Sequence, residues 1–82
     1  MTQKEICPCC GHLTLDERGN YDICPVCFWE DDGNNELNDP SGPNNCLTLA
    51  EAKDNYKEFG ACESMFKKDV REPYQEEINA KS

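Results

Sequence analysis

Two kinds of pattern divide the chain. Over residues 49–59, Leu49, Ala52, Tyr56 and Phe59 recur at i, i+3, i+7 and i+10 with polar residues between them, the spacing of one helical face. Thr48 followed three residues on by Glu51 has the form of a capping box, and Gly60 stands where a left-handed terminator belongs. The pattern predicts a helix over 49–59. Ser64 is placed to cap a second, shorter helix whose Met65, Phe66 and Val70 would face the core, ending before Pro73. Upstream the period is shorter. Leu13-Thr14-Leu15 and Tyr21-Asp22-Ile23 read as strands joined by the turn Asp16-Glu17-Arg18-Gly19-Asn20, with Phe28-Trp29-Glu30 as a further short strand. Tyr56, Phe59 and Phe66 are expected to pack on that hairpin against Leu13, Leu15 and Ile23.

Between these regions lies a stretch with no period. Asp31-Asp32-Gly33-Asn34-Asn35 and Asp39-Pro40-Ser41-Gly42-Pro43-Asn44-Asn45 are clusters of turn formers around Leu37, so 31–47 reads as loop. Residues 73–82 read as a flexible tail. The organisation expected is one domain over 1–72, made of a β unit at 6–30, the loop at 31–47 and a helical part at 48–72.

Composition makes this layout hard to stabilise by ordinary means. Of 82 residues only thirteen are Leu, Ile, Val or Phe, and the formal net charge is −9. Few large aliphatics with high charge is the mark of a chain that cannot bury enough apolar surface to fold. A core in so short a chain supplies no more than ~3–5 kcal/mol, and a metal or cross-links are the usual supplement. Seven cysteines are present, an odd number for a closed disulfide framework. No apolar run approaches the roughly 20 residues of a membrane span, and the first residues lack the apolar stretch of a secretory signal. The expectation is a cytoplasmic protein whose thiols bind metal.

The cysteines are arranged for that purpose. Shifted by 17 residues, Ile6-Cys7-Pro8-Cys9-Cys10 falls on Ile23-Cys24-Pro25-Val26-Cys27, and both read Ile-Cys-Pro-x-Cys. Two sulfurs three residues apart, with a proline setting φ between them, suit a tight knuckle that aims both thiolates at one ion. Two knuckles make a tetrahedral four-thiolate site from Cys7, Cys10, Cys24 and Cys27. Zinc is the expected ion, one per chain, with iron the less favoured alternative. The fold class that follows is a small α+β domain stapled by metal, with a zinc-ribbon-like hairpin and two knuckles followed by one or two helices.

The remaining thiols are assigned by elimination. Cys9 aligns with Val26, a position that a knuckle does not use for ligation, though an alternative ligand set containing Cys9 or His12 stays open. Cys46 and Cys62 lie outside any metal spacing and are expected to be buried as small apolar residues. One asymmetry stands out. Gly11 follows the first knuckle, where positive φ is common, but Phe28 follows the second, where it is costly, so the second knuckle is expected to turn differently or lead straight into a strand.

With Cys7-Pro8-Cys9-Cys10-Gly11 and the run Ile23-Cys24-Pro25-Val26-Cys27-Phe28-Trp29-Glu30-Asp31-Asp32-Gly33 in view, the chain resembles the small, largely bacterial cysteine-rich CPCC proteins. The stretch from Gly42-Pro43-Asn44 to Phe59-Gly60 is also similar to that family's central helical region. The resemblance implies a zinc-binding domain and no particular reaction.

Charge distribution orders the possible functions. Residues 28–48 carry five acids and no base, over half of the net charge in a quarter of the chain. Glu30, Asp31, Asp32, Glu36 and Asp39, beside Phe28 and Trp29, would form a surface for a protein partner with a basic face, as in an inhibitor or immunity-type protein. The eight bases are scattered, which disfavours direct binding of nucleic acid by a zinc ribbon. A redox or thiol-active role for Cys9 is the other alternative. Four thiolates leave no open coordination position and no acid–base constellation is recognisable, so no enzyme activity is expected.

Overall fold

The computed structural model describes residues 4–78. Its first third is built by repetition. β1 (Glu5–Ile6) pairs antiparallel with β2 (Leu13–Leu15), Ile6 lying opposite Leu13 and Glu5 opposite Leu15 across an irregularity. Seventeen residues on, Ile23 and Glu30 form an isolated antiparallel bridge, the same pair displaced by the repeat. The amide of Cys7 donates to the carbonyl of His12 (2.9 Å) and that of Gly11 to Cys7 (2.8 Å). In the second unit Cys24 donates to Trp29 (2.9 Å) and Phe28 to Cys24 (2.8 Å). Each knuckle is thus its own tight turn, closed by the residues on either side of it.

Two expectations are corrected by this arrangement. Residues 13–15 do not pair with 21–23: β2 pairs with β1, and Ile23 with Glu30. Residues 16–20 link the two units rather than close a hairpin. The second knuckle also does not turn differently: Phe28 adopts φ 72°, matching Gly11 at φ 79°. The left-handed conformation costs a non-glycine residue ~1–2 kcal/mol. Packing offsets it, since the Phe28 ring lies 4.4 Å from that of Phe66.

The turn-rich stretch is more ordered than a loop. β3 (Pro40–Ser41) pairs antiparallel with β4 (Leu47–Thr48) around a 3₁₀ turn at Gly42–Asn44. Asn45 and Cys46 close the turn with positive φ, and Cys46 is exposed, contrary to its expected burial. Asn44 is buried and clamps the second knuckle: its Oδ1 accepts from the Glu30 amide and its Nδ2 donates to the Glu30 carbonyl, both at 2.8 Å.

The helix α1 (Leu49–Phe59) follows at once, with the expected bounds. Thr48 Oγ1 accepts from the Glu51 amide, Glu51 answers by accepting from the Thr48 amide, and Gly60 ends the helix at φ 78°. Leu49 and Ala52 are buried, and Tyr56 packs against the core. The second helical stretch, Ser64–Asp69, is 3₁₀ rather than α, with Glu63 and not Ser64 at its N-cap. Of the expected core residues Met65, Phe66 and Val70, Phe66 packs against the core, while Met65 is exposed. The expected tail is also partly built into the fold. Gln75–Glu77 form a further 3₁₀ turn, and the buried Glu77 accepts both Arg71 guanidinium nitrogens (2.9 and 2.8 Å) and the Tyr74 amide (2.9 Å). A charge-assisted bidentate pair docks residues 73–78; the rest of the expected tail lies outside the described residues.

The core is correspondingly unusual. Trp29, Leu15, Val26, Leu49 and Ala52 surround buried Cys7, Cys9, Cys24, Cys27 and Cys62. Ile23, expected there, is about half exposed.

Candidate metal centre

The two knuckles bring four sulfurs together. The Sγ atoms of Cys7, Cys10, Cys24 and Cys27 all lie within 4.8 Å of one another. Cys7 and Cys27 are 3.6 Å apart and Cys10 and Cys24 3.7 Å apart, far beyond a disulfide bond. An ion bonded to four thiolates at ~2.3 Å in tetrahedral geometry separates neighbouring sulfurs by about 3.8 Å. The observed spacing therefore fits one such ion, each knuckle supplying two corners.

Electrostatics at the four thiols favours a cation among them. Hydrogen bonding from Cys10, and then from Cys27, Cys7 and Thr14, pulls the Cys24 thiol well below its ordinary value despite burial. Hydrogen bonding to Cys24 pushes the Cys10 thiol far up, and burial does the same to Cys27. One charge is accommodated and the next is resisted. A divalent cation inverts that preference and lets every ligating thiol lose its proton.

Residues around the sulfurs hold them in place. Thr14 is buried with Oγ1 2.9 Å from Cys24 Sγ, and the Val26 amide donates to the same sulfur at 3.4 Å. Thr14 escaped the sequence reading because it stands between two leucines in an apparent core strand. The carbonyl of Cys27 accepts from the Cys62 amide (2.7 Å) and that of Pro25 from Arg71 (3.2 Å), so the C-terminal part finishes the second knuckle.

The alternative ligands stand apart. Cys9 is buried in the core outside the four-sulfur group, as Val26 is in the second unit. His12 is also outside it and meets Tyr56 edge to face at 6.1 Å. Cys62 is buried, and burial raises its thiol to about 12.

The expected acidic surface is partly dismantled. Trp29 is fully buried, and so is Asp31, whose carboxylate accepts from Arg18 Nε (2.7 Å) and from the amides of Gly19 (2.8 Å) and Gly33 (3.1 Å). Burial alone would raise the Asp31 carboxyl, but these donors outweigh it and hold it below 3.8. Asp31 thus ties the link between the units to the second knuckle. Its signal was the Asx-turn spacing to Gly33, repeated at Asp32 to Asn34 and at Asn34 to Glu36. Phe28 is occupied with Phe66, Glu30 and Asp32 are partly buried, and Glu36 and Asp39 remain exposed.

Fold and site together define a small α+β protein with, among the described residues, two antiparallel hairpins, one α-helix and four cysteines placed to hold one metal ion. The chain belongs to the cysteine-rich CPCC family, whose family profile matches residues 5–77. No curated protein and no solved structure matches it. Among the described residues no helix is long and apolar enough to cross a membrane.

Proposed function

We propose that the chain is a non-catalytic zinc protein of a reducing, cytoplasmic compartment, in which a structural four-thiolate ion holds together a module that binds a basic protein partner. The observation that carries the metal part is the sulfur geometry, four Sγ atoms within 4.8 Å of one another with two pairs at 3.6 and 3.7 Å, near the edge of a tetrahedral thiolate site. What supports the partner is charge: −9 on 82 residues, with Glu36 and Asp39 exposed and Glu30 and Asp32 partly so. An inhibitor or immunity-type role belongs to this class.

Iron is the second reading, and one observation favours it. Phe28 takes the same left-handed conformation as Gly11, so both knuckles turn alike, and a pair of like knuckles suits a four-thiolate iron site as well as a zinc site. Metal analysis of protein produced without added metal decides between them. One zinc per chain is expected, and a coloured iron protein would overturn the structural-zinc assignment. For the partner, affinity capture at low salt should recover a basic protein that elutes as salt rises; recovery of none would sink the docking role.

A further inference from the structure

The four sulfurs are not equally enclosed. Cys7, Cys24 and Cys27 are completely buried, whereas Cys10 is partly exposed. Cys10 opens into a cavity of about 450 Å³ between the first knuckle and α1. Leu37 and Ala50 give it an apolar wall, and Lys53 and Lys57, one helical turn apart, line it beside Asp54 and Tyr56. Neither lysine forms an ion pair among the described residues. In a chain of net charge −9 a cavity with two bases and one acid is a local reversal of sign. The sulfurs also differ in how they are held: Cys24 has the Thr14 hydroxyl and the Val26 amide, while Cys10 has no hydroxyl or amide donor among the described residues.

We propose that this cavity is the port through which the bound metal is exchanged, and that it selects small polycarboxylate metal ligands. The inference rests on the metal-site reading above. Lys53 and Lys57 attract and orient the incoming carboxylates. A carboxylate ligand held there would compete with the Cys10 thiolate for the ion, and a thiolate so displaced would take its proton from bulk buffer. No oxidation state changes. Tyr56, whose hydroxyl burial raises to about 12, stays a neutral donor at the wall.

The test compares two chelators on the metal-loaded, full-length protein: anionic EDTA and neutral 1,10-phenanthroline, with release followed by the loss of thiolate-to-metal charge-transfer absorption. The double variant Lys53→Glu/Lys57→Glu should slow release to EDTA by about tenfold at low ionic strength, the scale of electrostatic steering, and leave release to phenanthroline unchanged. The difference should shrink as salt is added. Lys53→Gln/Lys57→Gln, a gentler change on exposed helix, should fall between. Equal slowing with both chelators, or none with either, overturns the port. A starting protein without metal overturns the port together with the metal reading, so the two failures are told apart before any chelator is added.

Discussion

The two knuckles share a sequence pattern, a bridge and a set of hydrogen bonds, yet are stabilised differently. The first meets its left-handed requirement with Gly11, whose missing Cβ would touch nothing within 4 Å. The second meets the same requirement with Phe28 and recovers the cost through Phe66. One is locally sufficient, while the other depends on residues nearly forty positions away. Backbone geometry around the sulfurs is thus the invariant, and the side chain at the strained position is free to vary if distant packing supports it.

The largest effect should come from breaking the equivalence of sulfurs. Cys24→Ser removes a corner of the site and the sulfur that Thr14 holds, forfeiting metal binding worth ~10–16 kcal/mol in small zinc peptides. The expected outcome is loss of metal and of cooperative unfolding by circular dichroism. Cys9→Ser should keep one ion per chain; loss of metal there would show that the wrong sulfur had been assigned.

Next is the tie between the units. Asp31→Ala strands Arg18 and two backbone amides and should cost about 3 kcal/mol in urea unfolding, the low end for a broken buried pair because Arg18 is partly exposed. The sign with pH follows from the lowered carboxyl. The unfolded state binds the proton first, so the contribution is fully present above about pH 4 and is lost as pH falls through the folded value. The stability gap between wild type and variant should therefore stay constant from neutrality to pH 5 and narrow below pH 4.

The smallest effect sharpens the comparison directly. Phe28→Ala loses the ring and keeps the strain, while Phe28→Gly loses the ring and relieves it, so the glycine variant should be the more stable by ~1 kcal/mol. Gly11→Ala should cost a similar amount in the other knuckle. If alanine and glycine at 28 are equivalent, the strain assignment fails.

How much was legible varied with the physics. The helix at 49–59 was readable because its cap, period and terminator are local and agree. The four sulfurs were readable because their spacing is the chemistry. Strand pairing was misread, since two-residue strands carry no alternation, though the repeat already required that whatever pairs with Ile6 be displaced to pair with Ile23. Asp31 and Trp29 were misplaced because a charged, turn-rich run reads as surface, and only tertiary contacts draw it inward.

The closure of the second knuckle by Cys62 and Arg71 bears on the order of events during synthesis. All four sulfurs emerge from the ribosome within 21 residues of each other, but the carbonyls of Pro25 and Cys27 and the ring of Phe28 find their partners only after another 35 to 44 residues have been added. The ligands come early and the frame that fixes them comes late, and contacts of such separation are the slow ones to form. A nascent chain therefore meets its metal before it has a finished socket.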